Sequence, residues 1–431
     1  MAERFTIKEY ESFSRQVEIS AAGFHTLPSK TFDALEKFIL ENRKDDYGDR
    51  AQAWDLLTVS MRYGKKVISA KNYVGLITMN DGTTIEILPK LDNANDSEII
   101  KVFRDMLSTV RDIPYKPFNS SNVKSDKMTL FEIFIRMFLT EVGRLIKRGL
   151  KHGYVHYEEN ALFLKGKIDF NQQIKKNLIH KERFYIEYDD FQANRPENKI
   201  IKSTLLYVKQ KSHEAGNLRD CERYLKYFSD IDESVNYEND FAQYTANRNM
   251  MEYDQILKWC RIFLLNNSFT AFHGSDVAFA LLFPMERLFE SFVANRVKHH
   301  LDMTKYRVSA QDKRYYLFDS PKKFSIRPDI VVYNENTKER VILDTKWKML
   351  SPQYPNYGIS QGDMYQMYVY HKKYNAKKVV LVYPLNNAFS DRSPIMEYYT
   401  DGSERVNVSV IFFDLMDVVG SIRRIEKAMN T

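Results

Sequence analysis

Apolar side chains at Met285, Leu288, Phe289, Phe292, Val293 and Val297 repeat with the period of one helical face, and Pro284 suits a first turn. A helix is therefore predicted from there to about residue 300. Two runs rich in β-branched and apolar residues follow, 324–332 and 340–347, with Asn334-Glu335-Asn336 between them as turn residues, so the pair predicts a β-hairpin. Beyond it the pattern gives a helix around 363–370, a short buried strand at 378–383 stopped by Pro384, another strand at 406–414, and a final helix from about residue 416.

Upstream, Phe131, Phe134, Ile135, Phe138, Val142 and Leu145 line one helical face, and Arg144, Lys147, Arg148 and Lys151 fall at i, i+3, i+4 and i+7 on the other. A basic stripe backed by core can track phosphates, the alternative being a solvated helix face. Nearer the start, a helix is predicted at 32–41, and Asn80-Asp81-Gly82 makes a hairpin turn between strands at 74–79 and 83–88. The chain then reads as an α+β multidomain protein in three segments. A β-rich region covers 1–95. A mainly helical middle with a basic surface covers 96–265, interrupted by strand-like stretches around 161–168 and 184–188. An α/β region covers 266–431.

Candidate chemistry lies on the hairpin at 324–347. Arg327-Pro328-Asp329 belongs to its first run and Asp344-Thr345-Lys346 to its second. Side chains alternate faces along a strand, so Asp344 and Lys346 point one way and Thr345 the other. Asp329 and Asp344 are hard oxygen ligands suited to Mg²⁺, or Mn²⁺ in its place, while Lys346 would orient the attacking water and offset charge on a phosphate. Strand-end acids and Asp-x-Lys pairs also occur as solvated hairpin charges, and spacing alone does not separate the two readings. Glu290 borders the apolar face of the preceding helix and is the candidate third acid, with Glu286 one turn earlier as its substitute. Gln366 and Tyr370 are one helical turn apart and share a face, placed to hold a phosphate and the lysine in register.

This set resembles a PD-(D/E)xK nuclease site, and Gln366 with Tyr370 is similar to the QxxxY element that follows the lysine in RecB-like nucleases. Leu288-Phe289-Glu290, Arg327-Pro328-Asp329, Asp344-Thr345-Lys346-Trp347 and Tyr365-Gln366 together resemble the McrC family, the nuclease subunits of McrBC-type, 5-methylcytosine-specific restriction systems. The segments 164–170, 188–191 and 198–202 resemble that family's middle region, and 84–91 resembles its IxPK strand. The likeness thus spans nearly the whole chain. It implies a restriction-endonuclease-like C-terminal domain, with Asp329, Asp344 and Glu290 as metal ligands. It also implies Mg²⁺-dependent DNA endonuclease activity in phage defence, and an N-terminal region that contacts and stimulates a separate McrB-like AAA+ GTPase hexamer. There is no GxxxxGK[ST], so no nucleotide is expected on this chain itself. Two alternatives stand beside this reading: a stand-alone RecB-like DNA exonuclease or repair nuclease, and a catalytically inactive DNA-binding adaptor. The intact acid, acid, lysine set argues against the adaptor.

Composition bounds the rest. The 431 residues leave room for two or three cores, and 44% hydrophobic with 28% charged residues describes a globular chain rather than a disordered one. Lys and Arg number 64 against 57 Asp and Glu, and the resulting +7 permits nucleic-acid binding. Cys221 and Cys260 are too few for a zinc site and need not pair, which suits a reducing cytoplasm. With no signal peptide and no membrane-spanning run, a cytoplasmic protein without a membrane partner is expected.

Overall fold

The structure, a computed structural model, describes residues 3–15, 23–41, 57–79, 81–92, 94–110, 129–244, 251–265, 277–389, 397–400 and 405–430. The chain divides into two compact units, residues 1–117 with 273–431 and residues 118–272. The first unit thus draws on both ends of the sequence, and segments 1–95 and 266–431 share a sheet within it. Strand Val277–Pro284 pairs antiparallel with Tyr73–Met79, which pairs in turn with Thr84–Leu88, itself parallel to Arg4–Lys8. The pairing across Gly75 is close enough to need glycine: its φ is +139°, and a Cβ there would meet the Leu281 carbonyl oxygen at 2.0 Å. The predicted turn at Asn80 to Gly82 joins two of these strands, although Asn80 itself lies outside the described residues. A second four-stranded sheet runs in the order Phe24–Leu27, Ser12–Arg15, Lys65–Ala70, Leu57–Arg62, beside the helix Ser29–Glu41.

The C-terminal part of this unit is a six-stranded mixed sheet. Its order is Tyr306–Ala310, Ile330–Asn334, Arg340–Thr345, Lys378–Pro384, Asn407–Phe413, Glu397–Tyr399. Arg340–Thr345 is antiparallel to Ile330–Asn334 and parallel to Lys378–Pro384, and the crossover between those parallel strands contains the helix Gln361–Tyr374. Alternation sorts the two faces. Ile342, Leu381, Val410 and Phe412 pack with Met367 and Tyr370 of that helix, whereas Phe413 and Trp347 meet Phe289 of the helix Met285–His300 on the other side. The result is a helix, sheet, helix sandwich.

Two expectations change here. The predicted run 324–332 does not form one strand, because Phe324 has φ +58° and belongs to a separate small hairpin, Tyr316–Asp319 with Lys322–Ser325. The hairpin's first strand begins only at Ile330, after Pro328, which has no N–H to give a ladder. The edge strand Tyr306–Ala310 was not anticipated, since its short sequence carries no clear apolar run.

The second unit packs helices Leu130–Arg148, Pro196–Lys211, Ala215–Leu225, Tyr237–Gln243 and Met251–Leu265. A three-stranded sheet, Gly153–Ala161, Phe184–Gln192 and Lys167–Ile168, completes it. Cys221 and Cys260 are both buried and unpaired there. Among the described residues, no helix is long and apolar enough to cross a membrane.

Candidate active site

The acidic centre forms where the strand Arg340–Thr345 runs out. Asp344 is buried in its last turn of pleat, 1% exposed, and Lys346 follows with its backbone N–H on the Val382 carbonyl of the neighbouring parallel strand. Side-chain alternation brings the two together as predicted: Lys346 Nζ lies 2.7 Å from Asp344 Oδ2. Asp344 Oδ2 is buried, and the Lys346 ammonium is the cation set against it. Asp363, one turn into the following helix, adds a second carboxylate 3.8 Å from the same ammonium.

The far side of the lysine is held by the helix Gln361–Tyr374. Ser360 caps its start by accepting from the Asp363 N–H. Gln366 and Tyr370 then fall on one face. Lys346 donates to Gln366 Oε1 at 3.0 Å, Gln366 Nε2 donates to the Tyr370 hydroxyl at 2.7 Å, and that hydroxyl donates to the Arg327 carbonyl at 2.9 Å. The relay fixes the amide's orientation, because only its oxygen can accept from an ammonium. It also ties the lysine to Arg327, two residues before Asp329.

Asp329 is reached from the other strand. Its Oδ2 accepts both the backbone N–H and the hydroxyl of Thr345, each at 2.7 Å. Glu290, on the helix Met285–His300, accepts from the Gln311 amide, while the Gln311 backbone N–H donates to the Asp329 carbonyl at 2.8 Å. Glu286, one turn earlier, is exposed and bonded to Asn72, whereas Glu290 is half-buried.

Electrostatics record the crowding. Burial, then the charge of Asp329, pushes Asp344 up to about 7. Glu290 also rises to about 7, from burial first and Asp329 second. Burial likewise raises Asp329 against the two Thr345 hydrogen bonds. Burial pulls Lys346 down, yet the contact with Asp344 and the charges of Asp363 and Asp329 together outweigh this, and its ammonium is held above the ordinary range. Among the described residues no three His, Cys, Asp or Glu side chains converge as a ready-made metal cage. The set nonetheless fits Mg²⁺, which is commonly held by one or two carboxylates together with waters and substrate phosphate. Mutually repelling buried acids are what such a cation would neutralise.

A cleft of about 1580 Å³ opens beside Glu290, with Arg287, Lys298, Lys313 and Arg327 among its lining residues. Sequence reasoning named none of these cations as a nucleic-acid surface. The predicted basic stripe fares differently. The helix Leu130–Arg148 ends at Gly149, whose φ is +90°, so Lys151 leaves the helix and does not continue the i+7 row. Its backbone N–H instead donates to the Tyr253 hydroxyl at 2.9 Å. Arg144 and Arg148 pair with Glu141 and Glu252, and Lys147 is exposed. Sequence reasoning also missed Glu9, fully buried and 338 residues from its partner Trp347.

Comparison with known proteins agrees with the motifs. A model of the McrBC 5-methylcytosine restriction system component family matches residues 68–384.

The chain belongs to this McrBC family.

The match runs through both units and includes every predicted residue of the acidic centre, in keeping with the McrC resemblance. No curated protein matches. Among solved structures, the McrBC-family fold is shared with a chain of the refined half-complex from the tetradecameric assembly of Thermococcus gammatolerans McrB AAA+ hexamers with bound McrC. The TM-score is 0.69 at 19% identity, over 99% of each chain. The cryo-EM structure of the Thermococcus gammatolerans McrBC complex is also similar, with a TM-score of 0.47 at 19% identity, over 69% of this chain and 88% of that one.

Proposed function

We propose that this chain is the DNA-cleaving subunit of a McrBC-type restriction complex, a Mg²⁺-dependent phosphodiesterase of the PD-(D/E)xK type that works with and stimulates a separate AAA+ GTPase. The observation that carries the reading is the Lys346 environment: one ammonium set against buried Asp344 and fixed by the Gln366 amide, at the end of the central parallel strands. Sites in open α/β sheets commonly lie at such strand ends. A bound Mg²⁺, held by Asp329 and Asp344 with Glu290 alongside, would supply Lewis acidity toward the phosphodiester and lower the pKa of the attacking water.

The remaining work falls to the chain's own side chains. Lys346 orients the water and offsets charge on the phosphate oxygens, and its ammonium stays protonated beside Asp344. Gln366, its amide fixed by Tyr370, gives that ammonium a second acceptor beside the carboxylate. Thr345 fixes Asp329 by two donors, leaving its other oxygen with no hydrogen bond among the described residues. Arg287, Lys298, Lys313 and Arg327 line the cleft beside Glu290 and supply cations that a nucleic-acid backbone would meet.

The GTPase partner is proposed from family membership and from the McrB hexamers named with the similar fold. Plasmid nicking by the purified chain with Mg²⁺, with and without its cognate GTPase and GTP, tests the proposal. Cleavage that needs metal and rises with the partner supports it. Full activity that ignores the partner favours the stand-alone RecB-like alternative.

A further inference from the structure

Glu9 is a carboxylate with no access to solvent, at the end of the strand Arg4–Lys8. Trp347 Nε1 donates to both of its oxygens, at 3.1 and 3.2 Å, and the Lys90 backbone N–H donates to Oε2 at 3.0 Å. Lys90 ends the motif Ile87-Leu88-Pro89-Lys90, and Trp347 immediately follows Lys346. The Trp347 ring also packs on Phe289, 5.3 Å between centroids, and Phe289 precedes Glu290. One indole therefore touches the strand end bearing Lys346 and the helix bearing Glu290, and its single N–H is spent on the N-terminal sheet.

An apolar side chain at position 9 would fill such a pocket at less cost, since burying a carboxylate away from water is expensive. What only an acceptor does is fix the indole's rotation. We propose that Glu9 is a positioning residue for the acidic centre, holding Trp347 so that Lys346 and Glu290 keep their places, and thereby joining the N-terminal sheet to the site. The inference rests on the nuclease reading above. The hydrogen bonds of Glu9 run to Trp347 and Lys90 and not to Asp329, Asp344 or Glu290. Loss of Glu9 should lower turnover at saturating metal and, because Glu290 is displaced, raise the metal concentration needed, while leaving the KM for DNA unchanged.

The test compares full-length wild type, Glu9→Ala, Glu9→Gln, Trp347→Phe and the Glu9→Ala/Trp347→Phe double variant in metal-dependent plasmid nicking with the cognate GTPase present. Thermal melting and partner GTP hydrolysis are followed in parallel, with Asp344→Ala as a dead control. Glu9→Ala and Trp347→Phe should each lower kcat by about tenfold or more, the range typical of groups that orient a metal site's ligands. The double variant should lose no more than either single one, and Glu9→Gln, which keeps an acceptor oxygen, should restore most of the rate. GTP hydrolysis should be stimulated normally by all of them. Wild-type kcat in Glu9→Ala, or losses that multiply in the double variant, would overturn the assignment. A Glu9→Gln rate as low as that of Glu9→Ala, or a loss tracking a collapse in melting temperature and GTPase stimulation alike, would do the same. If wild type itself fails to nick DNA with metal and partner, it is the nuclease reading that falls.

Discussion

Thr345 donates its backbone N–H and its hydroxyl to the same oxygen of Asp329, both at 2.7 Å. The residue between acid and lysine is thus more than a spacer: while Asp344 and Lys346 share one face, Thr345 secures the acid from the neighbouring strand. Thr345→Val keeps the shape and the backbone donor but removes the hydroxyl. It should raise the Mg²⁺ concentration needed for half-maximal cleavage, with a rate loss of about tenfold at limiting metal. A metal titration of plasmid nicking reads this directly, and an unshifted midpoint would separate Asp329 from metal binding.

The two helical acids make a paired prediction. Glu290 is partly buried, bonded to Gln311 and raised first by burial and then by the Asp329 charge, whereas Glu286 is exposed and bonded to Asn72. Glu290→Gln should weaken cleavage and demand more metal, and Glu286→Gln should do so less. The reverse ranking would move the role one turn along the helix.

The relay behind the lysine predicts a milder defect. Tyr370→Phe deletes the hydroxyl that accepts from Gln366 and donates to the Arg327 carbonyl, freeing the amide to rotate. Cleavage should fall by roughly tenfold at saturating metal, with the metal midpoint unchanged. Gln366→Ala should fall at least as far, and a Gln366→Ala enzyme with the wild-type rate would rule the relay out.

Burial holds Glu9 up to about 8, with Lys90 and Trp347 N–H groups lowering it, Glu286 raising it and the Lys90 charge lowering it. A carboxyl raised on folding contributes stability that is complete below its ordinary value near 4.5 and is lost as pH rises through about 8. The melting temperature of the metal-free protein should therefore drop between about pH 4.5 and 8 and level off above that, and Glu9→Gln, which cannot ionise, should reduce that drop. Asp344 and Glu290, raised to about 7, add a slope of the same sign that ends near pH 7 and that the substitution leaves in place. An unchanged profile above about pH 7 would show that Glu9 does not titrate there.

What the sequence disclosed was what local periodicity can carry. Alternation along 344–346 and the one-turn spacing of Gln366 and Tyr370 depend only on neighbours in the chain, and those side chains meet as expected. Glu9 was illegible because its meaning lies in a contact 338 residues away, and nothing around position 9 marks it as buried. Lys151 was misplaced on the helix although Gly149, a ready stop signal, stands two residues before it. The cleft cations Lys298 and Lys313 lie on separate elements, and only the packing of the helix Met285–His300 beside the Tyr306–Ala310 strand brings them to one cleft.

The account turns on Asp344, and nicking of plasmid DNA by Asp344→Ala with Mg²⁺, GTP and the cognate GTPase tests it most directly. Phosphate release by the partner is measured in the same tubes. Loss of this carboxylate should lower nicking on the order of a thousandfold or more, since it removes ligand charge at the attacked phosphate, while stimulation of GTP hydrolysis stays at the wild-type level. Nicking by Asp344→Ala at the wild-type rate would contradict the account.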